Sequence, residues 1–134
     1  MVLSLAAVQD HLMIPARKRI LIVEDDNDIR ENLKDFLEIE GHSVLTATNG
    51  KEGLEALEKS PKPDLILLDL MMPIMNGFEF AEHLKANKLF HEVPIIIMSA
   101  DNQCEKKVAI LGIKNIIKKP FELNDLIDLV GRTL

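Results

Sequence analysis

Beyond Arg19, short aliphatic runs alternate with longer amphipathic stretches, the pattern produced when strands feed helices in a parallel sheet. Five such units are visible, with strands expected over residues 20–23, 43–47, 65–68, 94–98 and 113–117. The first, third and fourth are apolar at consecutive positions, as a strand must be when helices cover both its faces, so they belong at the sheet's centre. Helical periodicity is cleanest at Ile29, Leu33, Phe36 and Leu37, and again at Leu123, Leu126, Ile127, Val130 and Leu134, each set forming one stripe. Gly41 and Gly50 punctuate the second unit, and Pro61 with Pro63 stops the second helix before the third strand. The expected fold class is α/β, a doubly wound five-stranded parallel sheet, with no internal repeat and no low-complexity linker.

Composition narrows the function. The 134 residues fit one domain, and 47% hydrophobic with 28% charged residues is ordinary globular composition. A net charge of -6 lacks the basic excess that phosphate backbones attract, so direct nucleic-acid binding is not expected. The single Cys104 cannot form an internal disulfide, which fits a reducing cytoplasm, and it is expected to be inert and partly buried. His11, His42, His83 and His91 fall in different units and are expected on the surface. The opening MVLSLAAVQDHLMIPARKR has no basic region ahead of its apolar residues, and Gln9, Asp10 and His11 interrupt it well short of a spanning helix. Residues 1–18 are expected to be a leader outside the fold, with Leu3, Leu5 and Val8 available to cap an apolar patch, and residues 19–134 the folded domain.

The strand ends carry the chemistry. In RILIVEDDND a buried-looking strand runs straight into Glu24, Asp25 and Asp26, like charges that repel one another. The third strand ends in Asp69, the fourth in Ser99 and Ala100, and the fifth in Lys118, Lys119 and Pro120. In an open parallel sheet these ends converge on one crevice. Glu24, Asp25 and Asp69 together with Lys119 would carry two net negative charges, which one divalent cation neutralises. Magnesium (Mg2+) suits this set, because it takes oxygen ligands and combines one or two carboxylates with phosphate oxygens. A carboxylate so placed can attack phosphorus and become an aspartyl phosphate, with Lys119 and the metal neutralising charge and Ser99 offering a hydroxyl hydrogen bond. As bland alternatives, Glu24, Asp25, Asp26 and Asp28 could simply favour a helix start, and Ser99 could be an ordinary strand-ending hydroxyl. Met71, Met72 and Met75 read as loop packing, at least one of Phe78 and Phe80 as core, and Lys106, Lys107, Lys114 and Lys118 as a solvated basic strip.

Four fragments in this order, ILIVEDDNDIR, DLILLDLMMPIMNG, IIIMSA and KKPF, resemble the receiver domain of two-component response regulators, the CheY-like family, over residues 19–134. The resemblance implies a flavodoxin-like sheet of order 2-1-3-4-5 with five helices. It makes Asp69 the phosphoacceptor, Ser99 the hydroxyl switch residue and Lys119 the lysine that contacts the phosphoryl group. Aligning Ile29-Arg30 makes Glu24 and Asp25 the acidic pair, Asp25 binding Mg2+ directly and Glu24 through water, while Asp26 is a bystander or helix cap. The backbone carbonyl of Met71 is the remaining implied metal ligand, and the Lys119-Pro120 bond is implied to be cis. Two features depart from the family. Ile116 stands where Tyr or Phe is frequent, so an aromatic rotamer switch is lost, and the spacing of 20 between Ser99 and Lys119 is short, with the deficit falling before Gly112.

The resemblance further implies a sensor histidine kinase or a histidine phosphotransfer protein as phosphodonor, an unidentified downstream protein target, and no membrane partner. Switching is expected through Ser99 and the face of the fourth helix, fifth strand and fifth helix, which is also where a homodimer would form. The chain would catalyse its own phosphorylation and dephosphorylation without turning over a separate substrate. Both a stand-alone regulator and a piece of a longer protein are compatible with the sequence. A haloacid-dehalogenase-type phosphatase would need a second aspartate where Met71 stands, and a flavodoxin-like flavin binder would need a phosphate-cradling loop where this one is acidic. A degenerate receiver, docking without phosphorylation, is opposed by the intact acids and lysine.

Overall fold

The computed structural model describes residues 17–101 and 103–134. Its strands are β1 (Arg19–Val23), β2 (Ser43–Ala47), β3 (Leu65–Asp69), β4 (Ile95–Ser99) and β5 (Asn115–Lys118). Between and after them run α1 (Asn27–Ile39), α2 (Gly50–Lys59), α3 (Gly77–Ala86), α4 (Glu105–Ile110) and α5 (Leu123–Thr133). All pairings are parallel and the sheet order is β2-β1-β3-β4-β5. The direction of strand order reverses beside β1, so a crevice opens above the carboxyl ends of β1 and β3.

Alternate side chains of the central strands go to opposite faces, and each face has its own core. Leu21, Val23, Ile66, Leu68 and Ile97 pack with Leu57, Phe80, Leu84 and Val108, under α2, α3 and α4. Ile20, Ile22, Leu65, Leu67, Ile96 and Met98 pack with Leu33, Leu37, Leu126 and Val130, under α1 and α5. This is why β1, β3 and β4 read as unbroken aliphatic runs. The helix starts are fixed by side-chain caps: Asp26 Oδ1 accepts from the Ile29 N–H, Asn49 caps α2, and Asn76 with Glu79 forms a capping box at α3.

Several expectations need correction. β5 begins at Asn115, because Gly112, at φ 77, turns the chain out of α4 and Ile113 donates its N–H to the Val108 carbonyl. The apolar Ile113 is buried in that turn, so its hydropathy mimics a strand. Pro94 precedes β4, which extends through Ser99. Cys104 is fully buried at the start of α4, not partly. His42 is buried too, with burial lowering its pKa, and its Nδ1 accepts a hydrogen bond from the Lys18 N–H. Phe80 is core and Phe78 half-buried, the latter with the Lys107 ammonium 5.6 Å from its ring centre. The expectation for residues 1–18 falls mostly outside the described residues, as do Leu3, Leu5, Val8 and His11.

Gly77 joins the core to the crevice. A Cβ there would stand 2.3 Å from the Asp69 carbonyl oxygen and 2.8 Å from the Leu70 Cα, both backbone atoms that cannot move aside. Gly77→Ala is therefore expected to lower stability by roughly 1–3 kcal/mol, as overpacking does. Thermal melting followed by circular dichroism checks this, and an unchanged midpoint would contradict the close approach of α3 to the end of β3.

Candidate functional site

Glu24 follows β1 and continues its ladder, donating its N–H to the Ala47 carbonyl at 3.0 Å. That bond holds its side chain under the crevice, fully buried. Its Oε1 lies 2.5 Å from Lys119 Nζ, and its Oε2 accepts from the Asp26 N–H at 3.2 Å. Asp25 is exposed at the mouth of the same crevice. Asp69 closes β3 and is buried, with Oδ1 at 3.4 Å from both Lys119 Nζ and the Met71 backbone nitrogen. Glu24, Asp25 and Asp69 each offer an oxygen within 4.8 Å of the others.

Lys119 leaves β5 with its N–H bonded to the Ser99 carbonyl at 2.9 Å, and the following Lys119-Pro120 bond is cis. Its ammonium reaches inward while Lys118 stays exposed and pairs with Glu105 at 3.8 Å. Ser99 is buried beside this strand end, and its Oγ accepts the Asp101 N–H at 3.0 Å. Ser99 thus sits at the rim with its hydroxyl engaged in its own loop. Met71 turns its side chain to solvent while its backbone stays beside Asp69, so it does not share the packing role of the partly buried Met72 and Met75. Ile116 is half-buried in β5, opposite Ile97 and packed against the core under α2, α3 and α4.

Sequence reasoning missed Arg30. Its guanidinium is buried, with Nη1 donating to the carbonyls of Glu24 at 3.0 Å and Asp25 at 3.3 Å, and Nη2 to Asn27 Oδ1 at 2.5 Å. The available signal was positional: Arg30, Leu33 and Leu37 follow a spacing that places a charged residue on the buried stripe of α1.

Burial and the neighbouring Glu24 push the Asp69 carboxyl up to about 7, against the smaller opposing effect of Lys119. Burial alone would lower the Lys119 pKa, but the hydrogen bond and charge of Glu24, then Asp69, raise it. A buried carboxylate that resists ionisation beside a lysine is one whose negative surroundings are under-compensated. Three clustered carboxylate oxygens answer to a hard divalent cation such as Mg2+, so the donor set fits that ion.

Comparison with known proteins agrees with this geometry. The family model described as response regulator receiver domain matches residues 20–131. The chain is 36% identical over 111 residues to the response regulator MprA of Mycolicibacterium vanbaalenii, an alignment covering 81% of this chain and 47% of that protein. It is 38% identical over 112 residues to the transcriptional regulatory protein CrdR of Helicobacter pylori, covering 82% and 52%. The chain therefore spans about half the length of these relatives. Among solved structures, the chemotaxis response regulator CheY4 of Vibrio cholerae superposes with a TM-score of 0.81 at 30% identity, covering 89% of this chain and all of that one. The signal receiver domain of a signal transduction histidine kinase from Syntrophus aciditrophicus gives 0.79 at 32% identity, covering 87% and 89%. With the fold, the acidic pocket and the profile match in agreement, the chain belongs to the response regulator receiver domain family of two-component signalling.

Proposed function

We propose that Asp69 accepts a phosphoryl group from a phosphohistidine, carried by a sensor histidine kinase or a histidine phosphotransfer protein, in a Mg2+-dependent reaction. The observation that carries this reading is the convergence of Glu24, Asp25 and Asp69 within 4.8 Å, with Lys119 Nζ against two of them. In the transfer, an Asp69 oxygen forms a bond to phosphorus as the phosphorus–nitrogen bond of the phosphoimidazole breaks, and the imidazole leaves with that electron pair. Lys119 neutralises the transferred oxygens, and the Ser99 hydroxyl turns from Asp101 to hydrogen-bond one of them. Bound Mg2+, held by Asp25, Asp69 and the Met71 carbonyl with Glu24 acting through water, would supply the remaining positive charge.

The product is a modified protein rather than a released substrate, so the chain acts as a phosphoacceptor that also assists its own dephosphorylation. Ser99 and Lys119 connect the pocket to α4, β5 and α5, the face we assign to a downstream protein partner or a second copy of the chain. Among the described residues no helix is long and apolar enough to cross a membrane. From its family we assign the chain to the cytoplasm, and we assign the receiver proper to residues 19–134 together with the Lys18 backbone that bonds to it.

Incubation with acetyl phosphate and Mg2+ is expected to add one phosphoryl mass by intact mass spectrometry, and Asp69→Asn to abolish it. A gain retained in the mutant refutes Asp69 as acceptor, and no gain in the wild type leaves a docking module.

The pH dependence of stability follows from Asp69. Its folded pKa of about 7 lies above the ordinary 3.8, so its favourable contribution is complete below 3.8 and is lost as pH rises through about 7. Without metal, the stability of Asp69→Asn relative to wild type should therefore rise between about pH 4 and pH 7 and level off above that. Stabilisation of the wild type by saturating Mg2+ should grow over the same interval, because the ion binds the ionised form. Melts with and without Mg2+ across this range test both, and a pH-independent metal effect would contradict the assignment.

A further inference from the structure

We propose that Arg30 is a positioning residue for the acidic pocket: it holds the turn between β1 and α1 so that Asp25 and Glu24 aim their oxygens at the space beside Asp69. This inference rests on reading that pocket as the Mg2+ seat.

An arginine with 9% of its surface exposed, beside an acidic crevice, would ordinarily be expected to neutralise a carboxylate. Arg30 instead directs its fork at neutral oxygens, the successive carbonyls of Glu24 and Asp25 and the side chain of Asn27. Among the described residues its ion pair is with Glu31, at 4.0 Å from Nε and on the outer side of α1, where Glu31 is half exposed.

Gripping two successive carbonyls fixes the orientation of the peptide planes on either side of Asp25, and with them the direction in which its side chain leaves the backbone. Asp25 needs this most. Asp69 is fixed within β3, and Glu24 by its ladder bond to Ala47 and its contact with Lys119, whereas Asp25 lies one residue past the last ladder bond and is exposed. Arg30 also belongs to the first turns of α1, with its own N–H bonded to the Asp26 carbonyl at 3.0 Å, so it ties the helix to the turn from both backbone and side chain.

The division of labour between the two cations is chemical. Lys119 sits directly on Glu24 and Asp69 and must move or share when a cation and a phosphoryl group arrive. Arg30 supplies nearby positive charge while leaving the carboxylate oxygens free. A lysine in its place would keep the charge but lose the planar pair of nitrogens by which Nη1 holds both carbonyls while Nη2 is anchored on Asn27.

The test is isothermal calorimetry of Mg2+ binding to the full chain, compared across Arg30→Lys, Asn27→Ala and Val130→Ala. Loss of such an orienting partner is expected to weaken Mg2+ binding by about tenfold in Arg30→Lys, and by a smaller factor in Asn27→Ala, which removes one arm of the fork's contacts. Val130→Ala destabilises the core under α5, far from the crevice, and should bind Mg2+ as the wild type does. Arg30→Lys binding within about twofold of wild type overturns the inference while leaving the phosphoacceptor reading intact. Equal weakening in Val130→Ala also overturns it, since the effect would then follow stability. If Arg30→Lys does not fold, unchanged affinity in Asn27→Ala is the overturning result. A wild type that binds no Mg2+ sinks the inference together with the reading beneath it.

Discussion

Two carboxylates, Glu24 and Asp69, are kept close by a backbone that cannot let them separate, and the rest of the molecule answers to that constraint. β1 and β3 pair in register with Val23 opposite Leu68, so the next residues on each strand, Glu24 and Asp69, emerge side by side at the sheet's end. Neighbouring strands lie about 4.8 Å apart, which brings their side chains into direct electrostatic contact. The repulsion is not relieved by movement, since relief would require unpairing two buried central strands. It is relieved by charge: first by Lys119, then by holding a proton on Asp69, and in the proposed cycle by a metal and a phosphoryl group.

The two-sided core makes that constraint enforceable. Because β1, β3 and β4 bury both faces, sliding one strand past its neighbour would disturb aliphatic packing under α1 and α5 and under α2 to α4 at once. The close approach of Gly77 to the Asp69 carbonyl extends the same rigidity past the strand end, so the loop carrying Met71 starts from a fixed point. Rigidity here serves chemistry: phosphoryl transfer depends mainly on positioning and charge.

Those features that depend on periodicity were readable from the sequence. The aliphatic runs located β1, β3 and β4, and the acids and serine at their ends, with the lysine after β5, identified the rim, because parallel topology sends strand ends to one side. The Asp26 cap was equally accessible from residue type. What escaped depended on tertiary neighbours. Ile113 is as apolar as a strand residue, yet its partner is the end of α4. His42 is polar enough to be placed on the surface, and only the Lys18 backbone beside it explains its burial. Arg30 was hidden by the assumption that a charged residue faces water, when its task is to satisfy carbonyls at a turn.

The same geometry bears on how a modified Asp69 would be sensed. Ser99 links three things at once: its carbonyl accepts the Lys119 N–H, its hydroxyl accepts the Asp101 N–H, and its backbone ends β4 next to Asp69. A hydroxyl that turns toward a phosphoryl oxygen gives up Asp101, so the chain leading into α4 loses an anchor just as the pocket gains one. α4 is a poor helix to resist that change, with six residues, too short for intrinsic stability, and no side-chain cap at its start. Cys104 and Val108 hold it to the core instead. In the proposed cycle, with Ile116 unable to act as an aromatic rotor, a response at this face would start from Ser99 and reach α4, the shortest of the helices among the described residues.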